Sequence, residues 1–442
     1  MKALFSRMPL PKRAAAAPAA AAAASAAIGT KERLLLIGQP GSYRIAPYLN
    51  AARRMGLEVL VASRGEHSLI SEIHQGLHVD LDDPDSALTS ILEIARGAPF
   101  AGVLGCDDTT VELAALAADA LALPHNPPAA ARLTRRKDLA RAHLTKSGCA
   151  VPIHRLVDLS RALEDQVAGL TWPCVVKPLN LSASRGVIRA NDFAEFVTAC
   201  NRIGNIIAGS NDDFERTHVL VEAYIDGFEV ALEGYLHNAE LKTLALFDKP
   251  EPLCGPFFEE TIYVTPSRLS QSTQSRIVQS VAQACRAYGL RTGPIHAELR
   301  IDERDAWILE VASRTIGGDC SRSLDMGEEF NLEEFVISLA IGKPQTPRTP
   351  DEARGVMMIP IKERGILRRV EGLRDAQGVA NVVSVDILVR SGHELVPLPE
   401  GNQYPGYIFA RGQSPSEVVS ALRQAHSRLN FVVAPILKLI AE

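Results

Sequence analysis

Residues 292 to 318 read Thr292-Gly-Pro-Ile-His-Ala-Glu298-Leu-Arg-Ile-Asp-Glu-Arg-Asp-Ala-Trp-Ile-Leu-Glu310-Val-Ala-Ser-Arg314-Thr-Ile-Gly-Gly318. Apolar and polar residues roughly alternate, the period of a half-buried strand. The cluster Asp302-Glu303-Arg304-Asp305 interrupts that pattern as a polar turn does. The stretch therefore reads as a hairpin. A three-residue loop at Glu303 to Asp305 sets Glu298 opposite Glu310 on one face; a two- or four-residue loop shifts the pairing by one and sends them to opposite faces. Two facing carboxylates repel unless a cation lies between them. Hard oxygen ligands suit Mg2+, whose shell nucleotide phosphates usually complete. By itself the hairpin is equally compatible with a surface feature whose carboxylates are solvated, so the rest of the chain has to decide.

The chain has 442 residues, room for about three domains. A hydrophobic share of 46% with 22% charged residues is that of a globular protein. A net charge of -5 offers no electrostatic case for nucleic acid, and no apolar run reaches the length of a membrane span. The cysteines (Cys106, Cys149, Cys174, Cys200, Cys254, Cys285 and Cys320) show neither metal-ligand nor redox spacing. That pattern predicts reduced, mostly buried thiols and a cytoplasmic location. Residues 1 to 31 are basic, Ala-rich and free of acid, with Pro9, Pro11 and Pro18 interspersed. They read as a disordered low-complexity tail rather than a targeting segment.

The strand at Arg33 to Gly38, the turn Gln39 to Ser42, the helix Tyr43 to Met55 and the strand Leu57 to Ala62 form a βαβ pattern, which predicts a parallel sheet. The turn lacks the full dinucleotide-binding glycine spacing, which argues against a dehydrogenase. A further strand at Phe100 to Gly105 leads to Asp107-Asp108 and a helix over Val111 to Ala122. One helix is expected from Arg135 to near Gly148, then a strand opening at Cys149. Thr171 to Pro178 is a short apolar strand ending in Lys177, a position that tends to face a cleft. Asn180 to Val187 is a polar loop. Strands follow at His218 to Tyr224, Glu229 to Tyr235 and Leu241 to Phe247, then a proline-rich loop over 248–267 and a helix from Ser270 to Tyr288. Past the hairpin come a helix over 325–341, a linker at Pro344 to Pro350, strands near 355–361, 379–390 and 407–411, and a helix from Ser416 to Arg428.

Five pieces now stand in order: Lys137-Asp-x-x-Arg141; Val175-Val-Lys177-Pro; a Ser/Gly loop ending Arg185-Gly186-Val; Val221-Glu222-x-Tyr-x-x-Gly227-x-Glu229; and Glu298 with Glu310-Val-x-x-Arg314. Together they resemble the ATP-grasp superfamily of carboxylate–amine ligases from about Lys137 to Gly318. The βαβ start resembles the leading domain of that family, and residues 351–442 resemble the C-terminal domain of L-amino-acid ligases. The resemblance implies an α/β and α+β chain: a Rossmann-like N-terminal domain over 32–127, an ATP-grasp domain over 128–345 and a small α+β domain over 351–442.

The resemblance also implies roles. Lys137 and Lys177 would bind the phosphates of ATP, although Lys137 alone reads equally as a solvated helix face. Ser184 and Gly186 would belong to a loop offering hydroxyls and N–H groups to oxyanions. Glu222 would mark the adenine hinge and Glu229 would accept from the ribose. Glu298 and Glu310 would hold Mg2+ or Mn2+. Arg314, catalytic together with Lys177, would orient a carboxylate or acyl phosphate through its planar guanidinium. Ala312 stands where many relatives carry an asparagine ligand. His296 reads as a satisfied structural histidine, and Glu259-Glu260 as a solvated loop or an amine-recognising pair. The implied reaction is ATP- and Mg2+-dependent amide formation between a small carboxylate and an amine, through an acyl phosphate. The alternatives are a biotin-carboxylase-like or purine-pathway enzyme of the same superfamily, and a non-catalytic nucleotide-binding regulator. The oligomeric state stays open, a homodimer included.

Overall fold

The computed structural model describes residues 31–65, 76–324, 330–348 and 351–436. The expected N-terminal tail lies outside these residues, as do the first part of the helix expected over 325–341 and the end of the linker before Asp351. Among the described residues no helix is long and apolar enough to cross a membrane.

The first 95 or so residues after the tail build a four-stranded parallel sheet in the order Gly76–His78, Glu58–Ser63, Arg33–Ile37, Gly102–Gly105. Leu34, Leu35, Leu36 and Ile37 are all fully buried, the unbroken apolar run of a strand covered on both faces. The helix Pro84–Gly97, which the sequence reading left out, starts cleanly: Asp83 caps it by accepting from Ser86 N, and Pro84 follows at the first helical position. The strand order reverses between Arg33–Ile37 and Gly102–Gly105. Loops leaving the carboxyl ends of such strands diverge and open a crevice. The two loops, Gln39 to Arg44 and Asp107 to Thr109, are tied together by Asp107, which accepts from Gln39 N (2.9 Å) and Ser42 Oγ (2.8 Å).

The single helix expected from Arg135 is instead two, Pro128–Arg135 and Lys137–Lys146, broken at Arg136, whose backbone is extended. Lys137 thereby sits at a helix start and not on an interior face. A small antiparallel sheet follows in the order His154–Asp158, His218–Ala223, Cys174–Pro178, Ile188–Ala190. The helix Phe193–Ile207 covers it through Phe196, Ala199, Cys200 and Ile203.

The hairpin joins an eight-stranded antiparallel sheet. Its order is Ala306–Ala312, Gly293–Ile301, Phe228–His237, Glu240–Asp248, Ile262–Thr265, Ala353–Met358, Gly406–Gly412, Val382–Ile387. The strand Ile262–Thr265 lies inside the stretch expected to be loop. Strands from the C-terminal part continue the same sheet, and the helix Pro415–Arg428 covers them. A separate small sheet pairs Gly365–Glu371 with Glu394–Leu395 and Asn430–Ala434, strands the sequence reading did not resolve.

Period-two alternation sorts the faces of the large sheet. Val230, Leu232 and Leu236 pack on the helix Gln271–Tyr288 with Ile295, Ala297 and Leu299. Glu229, Ala231 and Glu233 therefore point the other way, and the register sets them beside Arg300, Glu298 and His296 respectively. That face carries ionisable side chains that line a cavity.

The hairpin corrects one expectation. Ile301 pairs with Ala306, so the turn has four residues, 302–305, and not three. Asp302 organises it, its side chain accepting from the backbone N–H groups of Arg304 (2.9 Å) and Asp305 (2.8 Å) and from the Trp307 indole (2.9 Å). A four-residue turn in a regular ladder would place Glu310 on the wrong face. A β-bulge compensates: Leu299 pairs with Ile308 but Glu298 with Glu310, leaving Leu309 as the extra residue. The two carboxylates thus share a face, by a different route from the one expected.

Candidate active site

One cavity of about 1020 Å³ runs between the N-terminal loops, the polar face of the large sheet, the loop 180–187 and the segment 388–407. Lys137, Lys177, Ser184, Glu222, Glu229, Glu298, Glu310 and Arg314 all line it. The structure therefore gathers residues that are up to 177 positions apart in sequence. Gly186 is the exception: its N–H donates to Pro399 O (2.9 Å) and it does not border the cavity. The neighbouring Arg185 donates to Glu400 O (3.0 Å), so the loop is tied to the C-terminal segment. Among the described residues, the hydroxyls of Ser182 and Ser184 keep no protein partner and face the cavity.

Two ion clusters organise the walls. In the first, Glu222 is 2% exposed and meets Arg141 Nε (2.5 Å) and Lys177 Nζ (2.6 Å). Burial alone would raise its carboxyl, but the two cations bring it down to about 2. With both oxygens committed, Glu222 is a positioning residue for Lys177 rather than a direct partner of a base. Arg141 also donates to the carbonyls of Ile308 (2.7 Å) and Leu309 (2.8 Å), at the bulge on this edge strand of the sheet.

The second cluster centres on Lys249, which the sequence reading missed. Its Nζ lies 2.8 Å from Glu229, 2.5 Å from Glu260 and 3.2 Å from Glu298. Burial would strip its proton, yet the three carboxylates hold its affinity for that proton well above the ordinary value. A signal was present in the sequence. Phe247-Asp-Lys249-Pro250 repeats the apolar-strand-then-Lys-Pro pattern of Val176-Lys177-Pro178. Glu229 is further held by Arg300 (3.0 Å).

The carboxylates of Glu229, Glu260 and Glu298 converge within 4.8 Å of one another. Lys249 touches all three, while Arg300 also pairs with Glu229 and His296 approaches Glu298. Burial and then the Glu298 charge push Glu260 upward, while Lys249 and the His296 imidazole hold Glu298 well below the usual carboxylate range against the opposing effect of burial. Glu260 is thus not a solvated loop residue; it also accepts from Tyr263 Oη (2.8 Å). Its neighbour Glu259 points elsewhere and accepts from Ile361 N (3.2 Å).

His296 is buried with both ring nitrogens partnered, as a satisfied histidine is, and it also borders the cavity. Nδ1 contacts Glu233, and Nε2 lies 3.4 Å from Glu298. Burial would lower its pKa, but Glu233 raises it to about 9, so the ring is a cation at neutral pH. Ala312 is the cross-strand partner of His296. Glu310 takes a different partner from Glu298: Lys137 Nζ stands 3.2 Å away and also donates to Leu181 O (2.8 Å). Arg314 donates from Nε to Asp108 (2.7 Å) and from Nη1 to Thr315 O (2.9 Å). Burial would raise the Asp108 carboxyl, but Arg314 depresses it. The N-terminal loop thereby fixes this arginine.

A lysine-rich wall opposite facing carboxylates, with a clamped arginine at one end, is suited to holding a polyphosphate, a hard divalent cation and a carboxylate together. Three family models match parts of the chain. A family model of the ATP-grasp domain matches residues 170–323, a model of the ATP-grasp N-terminal domain matches 49–125, and L-amino acid ligase C-terminal domain 2 matches 357–434. The crystal structure of an L-amino acid ligase from Bacillus licheniformis has a TM-score of 0.77 at 25% identity, covering 91% of this chain and 99% of that one. Carnosine synthase 1 of Homo sapiens is 26% identical over 357 residues, 74% of this chain and 42% of that protein. The alanine–anticapsin ligase of Bacillus subtilis is 24% identical over 257 residues, 54% of each. The chain spans about half, or less, of the length of these two curated relatives.

Proposed function

We propose that this chain is an ATP-grasp carboxylate–amine ligase that uses ATP to join an amino acid or similar small carboxylate to an amine. A carboxylate oxygen attacks the γ-phosphorus and the bond to the β-phosphate oxygen breaks, giving an acyl phosphate and ADP. The amine nitrogen then attacks the acyl carbon, the bond to the phosphate oxygen breaks, and the amide and inorganic phosphate leave.

Lys137 and Lys177 supply fixed charge to the phosphates, with Glu222 holding Lys177 in place. Glu229, already bound to Lys249 and Arg300, is a constrained acceptor for a ribose hydroxyl. Ser184 offers a hydroxyl from the loop above the cavity. Arg314, oriented by Asp108, retains Nη2 for the donor carboxylate. Glu298 and Glu310, register partners across the hairpin, are the residues that would hold a hard divalent cation, and the carboxylates that converge on Glu298 are those of Glu229 and Glu260. Mg2+ or Mn2+ bound there would offset phosphate charge during transfer.

The observation that carries this reading is the convergence of Lys137, Lys177, Glu229, Glu298, Glu310 and Arg314 on one cavity. All seven cysteines are free and six are buried, which supports a reducing, cytoplasmic setting. The test is ADP release across a panel of amino-acid pairs, with the products identified by mass spectrometry. Amide product that disappears with Glu310→Ala and on chelation of divalent cations is the expected result. Turnover that survives both would sink the metal assignment.

A further inference from the structure

Arg44 is a cavity-lining cation that forms no ion pair among the described residues, its guanidinium lying 5.3 Å from the centroid of the Tyr43 ring. It follows the turn at the carboxyl end of the strand Arg33–Ile37 and is 8% exposed. Its Nη1 donates to Thr315 O (3.1 Å) and Thr315 Oγ1 (2.8 Å), both neutral acceptors. No carboxylate of a described residue forms an ion pair with it. By contrast Lys137, Lys177, Lys249, Arg300 and Arg314 each meet an acid within 3.2 Å. A guanidinium does not deprotonate in a protein, and a buried, unpaired charge is costly. No anion meets the guanidinium directly: Asp108 and Glu333 act on it only through space, the first being taken by Arg314 and the second by Ser321.

The surroundings leave room for one. Gly317 faces the guanidinium: a Cβ there would stand 3.9 Å from Arg44 Nη2. Gly318 adopts a left-handed backbone (φ +59), and a Cβ on it would come within 3.0 Å of the Tyr407 hydroxyl. No side chain thus enters from these two positions, and Tyr43 and Tyr407 border the same end of the cavity.

We propose that Arg44 binds the free α-carboxylate of an amino-acid acceptor, the substrate whose amine forms the new bond. The proposal rests on the ligase reading. Its geometric basis is that Arg44 and Arg314 both donate to the Thr315 carbonyl, at 3.1 Å and 2.9 Å. The two guanidinium groups flank one backbone oxygen. Arg314 follows the strand that carries Glu310, whereas Arg44 comes from the N-terminal loop before the helix Ile45–Arg54. In an α-amino acid one carbon separates carboxylate from amine. An acceptor anchored at Arg44 therefore presents its amine beside the acyl group that Arg314 orients. The donor cannot serve as this anion throughout the reaction, because its carboxylate is converted to the acyl phosphate.

The experiment compares acceptors that differ only in that charge. Initial rates are measured with L-amino acids and with the corresponding L-amino-acid amides, for the wild type, Arg44→Lys and Arg44→Met. Hydroxylamine serves in parallel as an acceptor with no carboxylate, trapping the acyl phosphate as a hydroxamate. In Arg44→Met, kcat/KM for the amino acid should fall about tenfold or more relative to the amide, mainly through KM. Arg44→Lys, which keeps the charge but not the fork, should give an intermediate ratio and guards against a folding defect in the methionine variant. Equal losses for acid and amide overturn the proposal, as does a fall in hydroxamate that matches the loss of amide. Absence of hydroxamate from the wild type with every amino acid as donor would overturn the ligase reading and the proposal with it.

Discussion

Glu298 faces Glu310 across the hairpin because Leu309 is an extra residue in the ladder between them. The four-residue turn shifts the register by one and the bulge shifts it back. The bulge is held by Arg141, whose guanidinium takes the carbonyls of Ile308 and Leu309 and the carboxylate of Glu222. Replacing it as Arg141→Met should leave two buried carbonyls and half of Glu222 unpartnered. We expect a loss of about 3–5 kcal/mol in urea unfolding. A loss below about 1 kcal/mol would show that the bulge persists without this clamp.

The Glu222 carboxyl makes acid stability a second test. Its folded value of about 2 lies below the ordinary 4.5. A depressed acid stabilises the fold fully above about 4.5, and this contribution is lost as the pH falls towards 2. The size is about 3 kcal/mol, since each unit is worth ~1.4 kcal/mol. Glu222→Gln should therefore flatten the stability profile between pH ~5 and ~2. An unaltered acid limb would contradict the assignment of this pair of cations to Glu222.

Lys249 is the cation shared by Glu229, Glu260 and Glu298. With Lys249→Met the three carboxylates face one another without it, and protonation becomes the cheapest relief. We expect a loss of at least about 100-fold in kcat, together with a melting temperature that rises as the pH is lowered from about 8 to 6. Thermal melts insensitive to pH across that window would argue against charge repulsion as the cause.

Gly227 tests the close approach that sets Glu229 on its strand. A Cβ there would sit 2.2 Å from the Ile301 carbonyl oxygen, a backbone atom that cannot step aside. Gly227→Ala should cost about 2–3 kcal/mol and lower ATP affinity in isothermal titration through displacement of Glu229. Wild-type stability in that variant would mean that the hairpin turn yields more easily than its hydrogen bonds suggest.

Much of this was legible in the sequence. Alternation at period two places Glu229 and Glu233 on one face of one strand, and His296, Glu298 and Arg300 on one face of another, before any coordinate is known. The order of the motif pieces gives the fold class, and Lys177 ends an apolar strand as a cleft-facing lysine does. Local sequence did less well where an element is interrupted. The break at Arg136 carries neither glycine nor proline, and the strand Ile262–Thr265 is hidden among prolines.

What the sequence determined by itself, then, is which side chains share a face, because that depends only on the geometry of consecutive residues. What tertiary structure alone decided is which face meets which, and with what partner. Glu222 is committed to Arg141, 81 positions away, and Arg314 to Asp108, 206 positions away. The bulge at Leu309 belongs to the same class: one extra residue leaves the alternation on either side intact, so no periodicity reports it. Partner choice and register are fixed by long-range packing and by the need to satisfy buried charges and carbonyls, and those requirements exist only once the chain has closed on itself.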